Sequence, residues 1–128
     1  MARPSHVRDA IAQLIADSDR HDWTIEDVAA ALHERGVAAD PSSVFRGLTR
    51  LAAEGTVEKV LLGDGKTRYE AHRAHHEHVV CSDCGAVSGV PGCVLEDAVP
   101  AIERATGFRI TDHRLLLSGR CGACAGAD

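Results

Sequence analysis

At 128 residues, 45% hydrophobic but only 3% aromatic, the chain is one compact domain or two very small ones, with an Ala/Val/Leu core of little bulk per residue. Its formal net charge of −5 excludes a generally basic nucleic-acid binder, and neither half departs from that: residues 1–72 carry 9 basic and 12 acidic groups, residues 73–128 carry 5 and 7. No apolar signal run opens the sequence and no segment approaches the roughly 18 apolar residues of a membrane span, so a cytoplasmic protein without membrane contact is expected.

Residues 5–18 place Val7, Ala10, Ile11, Leu14 and Ile15 on one stripe, which predicts an amphipathic helix. Thr24 is a cap for a second helix, with Asp27 three residues on, Ile25, Val28, Ala29 and Leu32 on one face and Gly36 at the end. Asp40-Pro41 reads as N-cap and first residue of a third helix that buries Val44, Leu48, Leu51 and Ala52 and stops at Gly55. Strands are predicted over 57–62 and 67–71, joined by Gly63-Asp64-Gly65-Lys66. Three helices and a hairpin in that order make a winged helix-turn-helix. A polar, His-rich stretch over 72–76 is expected to be a hinge. Beyond it, 77–81 and 86–90 form a hairpin, 94–105 a helix that Pro100 kinks or delays, and 110–118 a strand.

Two Cys-x-x-Cys pairs, Cys81/Cys84 and Cys121/Cys124, carry the strongest chemical signal. Each pair offers two sulfurs from one tight turn, and four thiolates close a tetrahedral structural Zn2+ site. A thioredoxin-like redox pair would sit at the start of a helix, and neither pair is predicted to be followed by one. Cys93, the fifth cysteine, is expected to be a small buried residue. The run His75-His76-Glu77-His78 adjoins the first pair. On a strand, His76 and His78 face one way and His75 and Glu77 the other, which predicts two distinct sites of N and O ligands. The order His-x-Glu then Cys-x-x-Cys is too tightly spaced for a zinc deaminase, and no enzyme is expected. On the third helix, Ser42, Ser43, Phe45, Arg46, Thr49 and Arg50 lie off the apolar face and suit entry into the major groove, with Arg3, Arg8 and Lys66 as phosphate contacts.

Over nearly its whole length the chain resembles the ferric uptake regulator family of metal-dependent bacterial repressors. The resemblance rests on Ser43-Val44-Phe45-Arg46-Gly47-Leu48, Arg68-Tyr69-Glu70, the run from His75 through Cys81-Ser82-Asp83-Cys84-Gly85, Gly107-Phe108, and His113 ahead of Cys121-Gly122-Ala123-Cys124. It implies an α+β protein: a winged-helix DNA-binding domain over 1–71, a hinge over 72–76 and a small α/β dimerisation domain over 77–128 with a four-cysteine structural zinc site. It implies a homodimer that binds a palindromic A/T-rich operator on double-stranded DNA when a second divalent cation, Fe2+, Zn2+, Mn2+ or Ni2+, is bound. By position, Cys81, Cys84, Cys121 and Cys124 would hold structural zinc. His76, His78 and Glu70 would form the regulatory site with His21 or Asp22, of which His21 is preferred, and His72 as a further ligand. His75, Glu77, Glu96 and His113 would form an additional site. Gly89 stands where the family often has a carboxylate, His72 where zinc-sensing members can carry cysteine, and Phe45 where tyrosine is usual. The competing classes are a zinc carrier or storage module and a thiol-redox protein, both without specific DNA binding.

Overall fold

The computed structural model describes residues 6–92 and 94–126, so the expectations for Arg3 and Cys93 fall outside the described residues. The chain divides into two units, Met1–His72 and Arg73–Asp128. The first runs α1 (His6–Ala16), α2 (Ile25–Glu34), α3 (Pro41–Ala53), β1 (Val57–Leu61) and β2 (Thr67–Ala71), the order expected of a winged helix-turn-helix.

Local chemistry sets each boundary. Thr24 Oγ1 accepts the Asp27 N–H at 3.0 Å while Asp27 Oδ2 accepts the Thr24 N–H at 3.2 Å, a reciprocal cap that starts α2. Asp40 accepts the Ser43 N–H at 2.7 Å and Pro41 follows it, which starts α3. The helical stripes converge on a core of Ile11, Leu14, Ile15, Val28, Leu32, Val44, Leu48 and Leu51, closed by Trp23, Val57 and Tyr69. Gly47 is where α3 meets α1: a Cβ there would lie 2.8 Å from Ile11 Cδ1 and 3.7 Å from Arg8 Cα. The hairpin pairs from Val57↔Ala71 to Leu61↔Thr67, and its turn uses left-handed Gly63 (φ 82°) and Gly65 (φ 79°). Trp23, ahead of α2, bridges to Tyr69, its N–H donating to Tyr69 O at 3.0 Å and its carbonyl accepting the Tyr69 N–H at 2.8 Å. The sequence offers no local signal for that bridge.

The second unit contains β3 (His76–Cys81), β4 (Val87–Pro91), α4 (Ala98–Thr106), β5 (Leu116–Gly119) and α5 (Gly122–Ala125). Its sheet has the order β4-β3-β5, with β3 antiparallel to β4 and parallel to β5. Three expectations are corrected here. The helix predicted from 94 begins at Ala98, which puts Pro100 in the first turn, where a backbone N–H has no partner within the helix. The strand predicted over 110–118 is confined to Leu116–Gly119. Ahead of it, carboxylates take the backbone donors: Glu103 Oε2 accepts the Ile110 N–H at 2.9 Å and Glu77 Oε2 accepts the Leu115 N–H at 3.1 Å. The second cysteine pair, expected without a helix, has Cys121 as N-cap of the four-residue α5.

Burial separates the units. Among the described residues of the second, only Glu77 and Cys81 are buried, while Val94, Ile102, Phe108, Leu116 and Leu117 are exposed. Apolar burial within this unit is therefore too small to hold it together unaided. No helix is long and apolar enough to cross a membrane.

The contact at Gly47 gives a direct test. Gly47→Val would drive side-chain carbons into Ile11 and the α1 backbone, and is expected to lower unfolding stability by about 1–3 kcal/mol in a urea titration of the first unit's helical signal.

Candidate metal centres and recognition helix

The parallel pairing of β3 with β5 sets Cys81 opposite Gly119, two residues before Cys121. The Ser82 N–H donates to Gly119 O at 2.7 Å, and the first knuckle turns through Gly85, whose N–H donates to Cys81 O at 2.9 Å. The two Cys-x-x-Cys turns thereby meet. One sulfur from each of Cys81, Cys84, Cys121 and Cys124 lies within 4.8 Å of the other three, all four are free thiols, and Cys84 Sγ stands 3.8 Å from Cys121 Sγ. A zinc–sulfur bond of about 2.3 Å in a tetrahedron requires sulfurs about 3.8 Å apart, whereas a disulfide needs about 2.05 Å. The donor set therefore fits a tetrahedral metal and suits structural zinc.

Electrostatics agree with that fit. Cys81 Sγ accepts the N–H groups of Cys121 (3.3 Å) and Cys84 (3.5 Å), and these donors hold its thiol down at about 6. Hydrogen bonds to Cys121, Cys81 and Cys84 push Cys124 up to about 12, so without a cation the four sulfurs cannot all be thiolates at neutral pH. Sequence reasoning missed Arg120, whose Nε donates to Asp83 Oδ2 at 2.7 Å and whose Nη2 donates to Cys124 O at 2.8 Å. It clamps one knuckle to the other. The available signal was opposite charge: an acid inside the first pair and a base just before the second.

A second cluster stands on the other side of β3 from His76 and His78. His75 Nε2 and His113 Nε2 each lie 2.7 Å from Glu77 Oε1, and the two imidazole rings meet edge-on with centroids 4.8 Å apart. Burial pushes Glu77 up, but the donors His75, His113 and the Leu115 N–H outweigh it, leaving the carboxyl below its ordinary value of 4.5. These three residues could hold a cation of intermediate hardness. Glu96 is exposed and is not among them.

The remaining predicted ligands fall in both units. In the first, the Trp23–Tyr69 bridge carries His21 to Glu70, with Nδ1 at 2.5 Å from Oε2. Glu70 is 1% exposed, a buried carboxylate with an imidazole as its partner. Asp22 is engaged elsewhere, accepting from Arg20 Nε at 2.7 Å, so His21 and not Asp22 meets Glu70. His72 is not brought to that pair; its Nδ1 lies 2.7 Å from Glu58 Oε1 on the hairpin. In the second unit, alternation along β3 sets His76 edge-on to His78 with ring centroids 4.8 Å apart, and Gly89 opposite His78 offers no side chain.

On α3 the buried face is Val44, Gly47, Leu48 and Leu51, which turns Ser42, Phe45, Arg46, Thr49 and Arg50 outward, with Ser43 partly covered. Arg46 Nη2 donates to Ser43 Oγ at 3.1 Å and Arg50 Nε to Glu54 Oε1 at 2.8 Å. Arg8 reaches the same Glu54 oxygen at 3.9 Å. At the turn between β1 and β2, Asp64 accepts from both terminal nitrogens of Arg68 (3.0 and 2.7 Å), and Lys66 is exposed.

The model of the Ferric uptake regulator family matches residues 2–118. The ferric uptake regulation protein of Bacillus subtilis (strain 168) is 34% identical over 125 residues, covering 94% of this chain and 84% of that protein. Among solved structures, the ferric uptake regulator from Pseudomonas aeruginosa with manganese is 29% identical with a TM-score of 0.73, covering 94% of this chain and 90% of that one. The Vibrio cholerae ferric uptake regulator, described for a rearrangement of its DNA-binding domains, is 26% identical with a TM-score of 0.78, covering 93% and 92%.

Glu77 makes the second unit sensitive to acid. Because its folded-state value is depressed, its contribution is complete above the ordinary glutamate range and is lost as pH falls through the lowered value. In chelator-treated protein, Glu77→Gln is expected to flatten the decline in thermal stability between about pH 6 and pH 3 relative to the parent, read by circular dichroism.

Proposed function

The chain belongs to the ferric uptake regulator family, and from that membership we propose that it is a metal-responsive transcriptional repressor that grips operator DNA as a homodimer. The observation that carries the proposal is the His21–Glu70 pair, a buried carboxylate on the strand leaving the wing turn with an imidazole set against it. Isolated, that carboxylate is costly; as half of a cation site it has a use. His76 and His78, edge-on to each other on β3, offer the imidazoles that complete a regulatory ligand set.

A divalent cation, Fe2+, Zn2+, Mn2+ or Ni2+, supplies charge neutralisation and a shared ligand sphere when bound. His21 and Glu70 of the first unit and His76 and His78 of the second would hold it. The DNA-competent arrangement gains only by the difference in affinity between the two states, which makes the response a population shift. Zinc on Cys81, Cys84, Cys121 and Cys124 is structural in this reading, and His75, Glu77 and His113 are an additional site. Ser42, Ser43, Phe45, Arg46, Thr49 and Arg50 meet the major groove, the ring of Phe45 against thymine methyl groups and the arginines on base edges or phosphates.

A second copy of the chain is the partner this reading requires. Support comes from the second unit, which exposes Val94, Ile102, Phe108, Leu116 and Leu117, with Phe108 at 75%. Apolar exposure of that extent on so small a unit fits burial in an interface better than solvent.

Operator binding tests the proposal. With zinc retained, removal of the regulatory cation is expected to weaken binding to a palindromic A/T-rich duplex roughly 10- to 100-fold at fixed salt, measured by fluorescence anisotropy across the four cations. Equal affinity with and without cation would refute it. His76→Ala with His78→Ala should abolish the response while leaving the fold intact. Cys81→Ser is expected to release about one Zn2+ per chain and to lower the apparent stability of the second unit, since binding energy at such a site is folding energy.

A further inference from the structure

The segment between α1 and α2 presents His21 to Glu70, and one side chain holds that segment from several directions. Arg20 Nε donates to Asp22 Oδ1 at 2.7 Å, its Nη2 donates to Asp27 Oδ2 at 2.5 Å, and the guanidinium stands 4.7 Å from the Trp23 ring centroid. Its own N–H donates to Ser18 Oγ at 3.0 Å. Asp27 is already committed to the cap of α2 through Thr24. A single planar fork therefore ties the two residues that follow His21, Asp22 and Trp23, to the first turn of a helix. The consequence is chemical as well as mechanical. Asp22 is the alternative oxygen ligand one residue away, and Arg20 holds one oxygen of its carboxylate.

We infer that Arg20 is a positioning residue for the regulatory cation: it fixes the backbone around His21 and sequesters Asp22, so that an imidazole and not a second carboxylate stands beside Glu70. The inference rests on the regulatory-site reading proposed above. Lysine could not replace Arg20, because a single ammonium cannot span two carboxylates in the fixed geometry of the guanidinium while stacking on an indole.

The test uses full-length, zinc-loaded protein carrying His113→Ala, which disables the cluster around Glu77, and Co2+ as the probe. Affinity is measured by competition with a chromophoric chelator, and ligand type by the visible d–d spectrum. Arg20→Ala is expected to weaken Co2+ about 10-fold and to shift the spectrum toward oxygen ligation, as loss of a group that orients a ligand does. In a His21→Ala background the same substitution should cost nothing further, because its effect passes through His21. Arg20→Lys, which keeps the positive charge, should show the same loss and serves if the alanine variant unfolds. Parent affinity in both Arg20 variants, or an equal loss with and without His21, overturns the inference. A parent protein that takes up no Co2+ overturns the regulatory-site reading itself.

Discussion

Everything in the second unit depends on what β3 buries. A central strand of a small sheet ordinarily buries Val or Ile, but here the two buried residues are a carboxylate and a thiol, Glu77 and Cys81. A buried carboxylate is tolerable only when its oxygens are satisfied, and Glu77 is met by two imidazoles and the Leu115 N–H. Cys81 is likewise met by the N–H groups of Cys84 and Cys121. Each set draws on the far end of the unit, through His113 and Leu115 in one case and Cys121 in the other, so the interactions that satisfy these groups also close the unit. The fold here is organised by polar convergence, with little apolar surface to back it up.

Such a design makes stability conditional. A core of leucines is equally stable whatever ions are present, whereas a core of ligands gains stability by the free energy of whatever binds it. The first unit shows the contrast: its helices and hairpin close on Ile11, Leu14, Val28, Leu48 and Tyr69, and among its described residues only Glu70 is both charged and fully buried. That unit has a core able to hold its shape without a cation. In the role proposed for the chain, the division is useful, because a reading head that keeps its shape can be switched by an element whose stability follows the metal.

The sequence revealed most of the first unit because its signals are local. Stripes at helical spacing, the Thr24–Asp27 reciprocal cap, Asp40-Pro41 and the glycines of the wing turn each act within a few residues. The alternation of His75, His76, Glu77 and His78 across β3 was legible for the same reason: it needs only the two-residue period of a strand. What stayed hidden depends on distant partners. That His21 and not Asp22 meets Glu70 follows from the Trp23–Tyr69 bridge, a pairing 46 positions apart that no periodicity announces, and from the hold of Arg20 on Asp22. The strand expected over 110–118 has the right alternation, yet Glu77 and Glu103 draw off its first backbone donors. The helix expected from 94 has the right stripe, but Pro100 is admissible only in a first turn, so the helix starts later.

The charge of the chain has to be reconciled with the DNA partner proposed for it. A net charge of −5 repels phosphate at long range, and the arginines on the outward face of α3 and at the hairpin turn are already engaged: Arg50 by Glu54, Arg68 by Asp64, Arg46 by the Ser43 hydroxyl. An exposed ion pair such as Arg50–Glu54 contributes only about 0–1 kcal/mol, so exchanging its carboxylate for a phosphate costs little. Weak attraction at a distance with prepared donors at contact favours discrimination over indiscriminate adherence. In the proposed role, such an acidic protein would spend little time on random sequence, and two copies of α3 acting together would supply the affinity that net charge withholds.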